Sequence, residues 1–217
     1  SFCESCSLLI PSGLLFCDRC YAALPPAPIY YDKTVEGFAF SVYAVSTYEG
    51  SLVPLVDAKE NRDQVAAQKL GRLLAQYCRD KQFSYDVIIA MPLHTMRRMY
   101  RGYNQAECMT AVLEEAGIGH CANLFIRKRA TKQQRFLQHA ARKKNVADAF
   151  ALRVSVDSEV ARHQIDGKKV LIVDDVYTSG STVRELVKVV ALLNPQRVDV
   201  LVACRVTRRS DRLGRGS

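Results

Sequence analysis

The stretch VLIVDDVYTSGST, residues 170–182, decides how this chain is read. Val170, Leu171, Ile172 and Val173 form an unbroken apolar run, three of the four β-branched, which predicts a strand buried on both faces. Two carboxylates follow directly, Asp174 and Asp175. Then come Thr178, Ser179, Gly180, Ser181 and Thr182, small and mostly hydroxyl-bearing, ahead of a helical pattern over 182–193 that Asn194-Pro195 closes. In open α/β sheets ligands bind at the carboxyl edge of the strands. A turn entering a helix there offers backbone N–H groups at the positive end of the helix dipole, a cradle for phosphate. Gly180 permits a backbone conformation that a larger residue resists. Carboxylates accept hydrogen bonds from vicinal hydroxyls, so acids beside a phosphate cradle suit a ribose phosphate. A strand-to-helix turn with simple caps would use one such residue and would leave the second acid and the other hydroxyls without a job. A Walker A loop is excluded, because no G-x-x-x-x-G-K-[ST] occurs.

Working outward, strands and helices alternate. Residues 35–48 suggest a β-hairpin, 62–77 and 104–115 carry helical spacing, and 86–91 (DVIIAM) is a short buried strand. Leu124 and Phe125 start a short strand, and 197–206 is a final one. This order predicts an α/β fold with a mainly parallel sheet flanked by helices. Four cysteines precede it: Cys3, Cys6, Cys17 and Cys20, two C-x2-C knuckles ten residues apart. Four soft thiolates in a closed set favour structural zinc, with iron as competitor for the same ligands. The metal would replace the core that so short a segment lacks. The other cysteines, Cys78, Cys108, Cys121 and Cys204, lie among apolar neighbours and are expected to be small core residues. A proline-rich connector begins at Leu24-Pro25-Pro26, so the expected layout is a module at 1–24, a linker at 25–34 and a main domain at 35–217.

The formal net charge is +9, from 31 basic and 22 acidic residues, which favours anionic partners. The basic residues cluster. Residues 127–144 hold eight and no acid, Arg97, Arg98 and Arg101 form a second group, and Arg205, Arg208, Arg209, Arg212 and Arg215 a third. The first cluster is expected to be a long loop, either a lid over the site or a strip for nucleic acid. Leu93 and His94 follow the predicted strand at 86–91, and with Arg97, Arg98 and Arg101 they are weaker candidates for contacting a diphosphate or a nucleic-acid backbone. His94 by itself is as well explained by a structural role. No apolar run reaches the roughly 18 residues that span a bilayer. The first residues carry acid and cysteine in place of the basic start of a signal peptide, so a cytoplasmic protein without membrane insertion is expected.

The segment 170–182 resembles the diphosphate-sugar signature of type I phosphoribosyltransferases, with Ser179 and Ser181 where Thr and Gly are common. Met91-Pro92-Leu93-His94, then Arg97, Arg98 and 101–105 (RGYNQ), are similar to a block of the ComF competence-protein family, with Met91 where Val is usual. Thr131, Gln134, Arg142, Asn145-Val146 and Ala149-Phe150 continue that similarity, and the cysteine knuckles open it. The resemblance implies a phosphoribosyltransferase-like domain that binds phosphoribosyl diphosphate with magnesium. Asp174 and Asp175 would hold the ribose hydroxyls, and 178–182 the 5-phosphate. It implies a role in DNA uptake or natural transformation, handling single-stranded DNA beside a helicase-like ATPase. The alternative is an active transferase, with Asp174 and Asp175 as catalytic acids, moving ribose 5-phosphate to an unidentified nitrogenous acceptor.

Overall fold

The computed structural model describes residues 1–35, 38–58, 64–128 and 149–206. The chain runs through α1 (Asp18–Ala22), β1 (Tyr30–Val35), β2 (Phe38–Thr47), α2 (Val53–Asp57), α3 (Gln64–Asp80) and β3 (Val87–Ala90). It continues with α4 (Thr95–Arg101), α5 (Gln105–Glu115), β4 (His120–Cys121), β5 (Phe125–Arg127) and β6 (Phe150–Leu152). Last come α6 (Ser158–Ile165), β7 (Lys169–Tyr177), α7 (Ser181–Ala191) and β8 (Arg197–Arg205).

Six strands form one sheet in the order β1-β2-β8-β7-β3-β4. All neighbours in it are parallel except β1, which pairs antiparallel with β2. The hairpin expected at 35–48 is displaced: 38–47 is a single strand, and its partner occupies Tyr30–Val35, most of it in the stretch expected as linker, because those residues find unpaired backbone along β2. A parallel sheet needs cover on both faces, and β7 and β8 accordingly read as continuous apolar runs. Val170 to Val173 and Val200 to Ala203 are fully buried. The covering helices show the matching spacing. In α7, Val183, Leu186, Val187 and Val190 are buried at steps of three and four. In α3, Leu70, Leu73, Leu74 and Cys78 do the same. Helices α3 and α5 approach closely at Gly71, where a Cβ would lie 2.9 Å from the Val112 Cβ.

The expected strand at 170–173 extends to Tyr177, so Asp174 and Asp175 lie within it rather than after it. Helices α2, α4 and α6 were not legible as periodic segments. They are short, and α4 turns Met96, Met99 and Tyr100 outward instead of into a core. Beyond Lys128, the basic stretch expected as a loop lies outside the described residues, as does the tail beyond Val206.

The cysteine segment packs on this body. Ile10, Leu15 and Phe16 are buried in the same hydrophobic cluster as the sheet, and Lys69 of α3 pairs with Glu4 at 2.7 Å. The proline-rich connector crosses the carboxyl ends of β2 and β8. Pro25 O accepts from Ser46 Oγ and Thr47 N, and Pro28 O accepts from Arg205. Among the scattered cysteines, Cys78 and Cys204 are core residues as expected, Cys108 is half-buried and Cys121 exposed. Burial pushes the Cys78 thiol up to about 12, against the opposing charge of Arg79, so it is inert near neutrality.

Candidate functional site at the carboxyl end of β7

Strands β3 and β7 run side by side until Ala90 faces Val173, and Met91 N donates to Val173 O at 2.8 Å. There β3 ends and its chain turns away through Pro92 to His94. Strand β7 continues four residues further, paired only with β8. From this point the connections diverge. The chain after β3 crosses through α5 to β4 on one side, and the chain after β7 crosses through α7 to β8 on the other. Such a divergence opens a crevice at the strand ends, the place where open α/β sheets bind ligands. Asp174 and Asp175 stand on the overhang of β7 beside it.

The two acids are held differently. Asp175 is buried; its Oδ2 accepts from Gln105 Nε2 at 2.8 Å and its Oδ1 from Val176 N at 2.7 Å. Asp174 is half-buried, and its Oδ1 accepts from Asp175 N at 2.9 Å. Gln105 begins α5. Its neighbour Asn104 caps that helix by accepting from Ala106 N at 3.1 Å, and donates through Nδ2 to Met91 O at 3.2 Å. One helix start therefore joins the loop after β3 to the acid at the end of β7.

The turn from 178 to 181 forms the other wall. Gly180 has φ 72°, in the left-handed region, and caps α7. An added Cβ there would collide with the Tyr177 hydroxyl oxygen, so both backbone and space favour glycine. Ser179 Oγ and Ser181 Oγ lie 3.0 Å apart, and Arg184 Nη1 donates to Ser179 O at 2.9 Å. Thr178 is exposed, and Ser179 and Thr182 are half-buried. Tyr30 flanks the turn, with its ring 5.8 Å from that of Tyr177, its hydroxyl 3.4 Å from Arg184 Nη2 and the Arg205 guanidinium 5.0 Å from its ring centre.

The structure thus gathers Asp174, Asp175 and 178–182 with the loop at 91–94. Leu93 and His94 are half-buried there, and His94 Nδ1 accepts from Met96 N at 3.2 Å, which makes it the cap of α4. Arg98 reaches Glu107 at 2.8 Å. Arg97 and Arg101 lie on α4, and their side chains are outside what is described. Gln105 was marked only by the resemblance at 101–105, and Arg184 and Tyr30 were not legible as site residues; Gln105 and Tyr30 meet their partners across the fold. Asn104 was legible, as a helix-start residue.

The sulfurs of Cys3, Cys6, Cys17 and Cys20 all lie within 4.8 Å of one another, a cluster that could hold a metal ion. Cys6 Sγ and Cys17 Sγ are 3.7 Å apart, and Cys17 N donates to Cys3 Sγ at 3.4 Å. Burial disfavours the Cys3 thiolate. Hydrogen bonds from the backbone of Cys17, Cys6 and Ser5 outweigh that and bring its pKa down to about 6. Among the described residues no helix is long and apolar enough to cross a membrane.

Residues 61–214 match the model of the phosphoribosyl transferase domain. The chain is similar to the DNA utilization protein YhgH of Shigella flexneri, 31% identical over 215 residues, covering 94% of this chain and 84% of that protein. It is also similar to Competence protein F of Haemophilus influenzae, 33% identical over 137 residues, covering 60% of this chain and 57% of that one. Among solved structures, glutamine phosphoribosylpyrophosphate amidotransferase from B. subtilis aligns over 64% of this chain and 26% of its own, at 22% identity and a TM-score of 0.42.

Proposed function

Since this chain belongs to the phosphoribosyl transferase domain family and is related to DNA utilization and competence proteins, we propose that it binds phosphoribosyl diphosphate with magnesium at the end of β7 and serves DNA uptake in the cytoplasm. The observation that carries the ligand is the pairing of Asp174 and Asp175 with a glycine-capped helix start at one strand end. In this proposal the ribose hydroxyls donate to Asp174 and Asp175, and Gln105 holds the Asp175 carboxylate in place. The N–H groups and hydroxyls of Thr178, Ser179, Gly180, Ser181 and Thr182 donate to the 5-phosphate, with the α7 dipole behind them. Backbone amides at Leu93 and His94 face the diphosphate. Magnesium, when bound, supplies charge neutralisation at that diphosphate.

Single-stranded DNA is the proposed partner of the basic surface, to which Arg98 contributes from an exposed helix and Arg97 and Arg101 belong by sequence. A helicase-like ATPase is the proposed protein partner. Zinc is the proposed occupant of the cysteine cluster. Tetrahedral thiolates at about 2.3 Å from zinc place their sulfurs roughly 3.8 Å apart, and the Cys6–Cys17 pair already stands at 3.7 Å.

A thermal-shift titration with phosphoribosyl diphosphate and magnesium tests the site. At a ligand concentration of 100 Kd, binding adds about 2.7 kcal/mol of stability, and Asp174→Ala with Asp175→Ala should abolish the shift. A retained shift in that double variant refutes the assignment. Pyrophosphate release with a panel of nitrogenous acceptors, run beside DNA binding at several salt concentrations, separates the transferase alternative from DNA handling. Turnover with one acceptor establishes a transferase. Negligible DNA affinity at low salt removes the DNA role.

A further inference from the structure

On the side of β3 away from β7, a cavity of about 770 Å³ opens between α5, β3 and the β5–β6 hairpin. Pockets that bind small molecules run from roughly 300 to 1,000 Å³, mostly apolar with a few convergent polar groups. This one lies within that size range, and its lining mixes apolar with charged and polar side chains. Ala90 of β3, Ala111 of α5, Ala122, and Ile126 of β5 supply the apolar floor, with Ile88, Ile89 and Phe125 buried beneath it. Pro92 and Leu93 close one end. None of residues 170–182 lines it, so it is separate from the turn after β7.

Its charges are unevenly placed. Glu107 and Glu114 stand on the α5 wall, but both are engaged, Glu107 with Arg98 at 2.8 Å and Glu114 as acceptor from Cys121 N at 2.8 Å. Facing them, the hairpin contributes Arg127, Lys128 and Arg153. The guanidinium of Arg127 is fixed 5.5 Å from the Phe150 ring centre. The Arg153 Nε–H is buried and meets no acceptor among the described residues. A buried donor of this kind is costly unless an acceptor reaches it, and a dianion opposite three clustered cations supplies one. The apolar floor beside those cations suits a flat, weakly polar body attached to the anion.

We propose that the cavity between α5, β3 and the β5–β6 hairpin is a second ligand site, built for a phosphate monoester carrying an aromatic body, the chemistry of a mononucleotide. The phosphate sits against Arg127, Lys128 and Arg153, and the ring lies along Ala90, Ala111 and Ile126, which line the cavity with exposed surface. This site is distinct from the turn after β7, and it shares Leu93 with the loop proposed to face the diphosphate.

The test is isothermal titration of the full chain with adenosine and thymidine 5′-monophosphates, with inorganic phosphate and the two nucleosides as controls. Saturable mononucleotide binding is expected, at least tenfold tighter than phosphate or nucleoside alone. The pair Arg153→Gln with Lys128→Gln should weaken it tenfold or more. Ala111→Phe, on an exposed position of α5 that lines the cavity, should abolish it without touching a charge. Asp174→Asn should leave it unchanged. If Ala111→Phe does not fold, as read by circular dichroism, the charge pair decides alone. Absence of saturable binding overturns the proposal. So does binding that Asp174→Asn removes and the charge pair keeps, or that every variant keeps.

Discussion

Gly180 concentrates the constraint at the site. Its φ of 72° disfavours any side chain, and the Tyr177 hydroxyl occupies the space a Cβ would need. Gly180→Ala should therefore cost roughly 2–4 kcal/mol in urea unfolding, combining backbone strain with overpacking. Adding Tyr177→Phe removes the hydroxyl an added Cβ would meet first and should recover part of that loss. No recovery would mean that backbone strain and the remaining contact with the ring, Cζ at 2.6 Å, carry the whole cost. Gln105 is the complementary case. It donates to a buried carboxylate, and such bonds to charged groups contribute about 1.5–3 kcal/mol. Gln105→Ala should destabilise the chain by up to that amount and weaken phosphoribosyl diphosphate binding about tenfold in the same titration. Unchanged affinity would show that Asp175 keeps its position without Gln105. The acids, the hydroxyls and the glycine were legible because they are contiguous in sequence. Gln105 was marked only as part of the 101–105 block, and its role as the partner of Asp175 was not legible, because the two lie 70 residues apart.

The cysteine knuckles and α1 form a unit around the cluster of sulfurs. Leu15 and Phe16, between the knuckles, are buried in the main core, so on the zinc proposal loss of the metal should be felt in the whole domain. A chelator strong enough to strip zinc should lower the Tm of the full chain, and Cys17→Ser should reproduce that effect without chelator. An unchanged Tm in both would mean that the segment holds its place by packing alone. In the metal-free cluster the neighbouring thiols shift in opposite directions, Cys3 down and Cys20 up to about 11, so Cys20 acts above pH 9 and the window below pH 9 belongs to Cys3. Its thiol has an ordinary value of 9.0 and is drawn down to about 6 in the fold, so the folded state favours the thiolate. The resulting stability is complete above about pH 9 and is lost as pH falls through 6. Metal-free Tm should therefore fall between pH 9 and 5.5, and Cys3→Ser should flatten that dependence.

Across the whole molecule, one buried acid ties distant elements at the amino end of the sheet. Asp199 on β8 is fully buried; it accepts from the Tyr85 hydroxyl at 2.9 Å and pairs with Arg197 at 2.7 Å, while Arg197 also reaches the Tyr43 hydroxyl on β2. Asp199→Ala should cost roughly 3 kcal/mol, at the low end for breaking a buried pair because Arg197 is half exposed. Since this network sits at the edge opposite the acids of β7, ligand affinity should not change, and a parallel loss of affinity would show that the two edges are coupled. The sequence alone determined the alternation of strands and helices, the central buried strand, the acid pair with its small-residue turn, and the four-thiol set. Each is a local pattern of polarity, period or spacing, which chain order preserves. Only the tertiary structure decided that β3 and β7 stand side by side while their connections part in opposite directions. That divergence opens the crevice beside Asp174 and Asp175, brings Gln105 and Tyr30 to the site, and leaves the cavity under the β5–β6 hairpin. Strand order is set by which apolar faces can be covered together, and that depends on residues far apart in the chain.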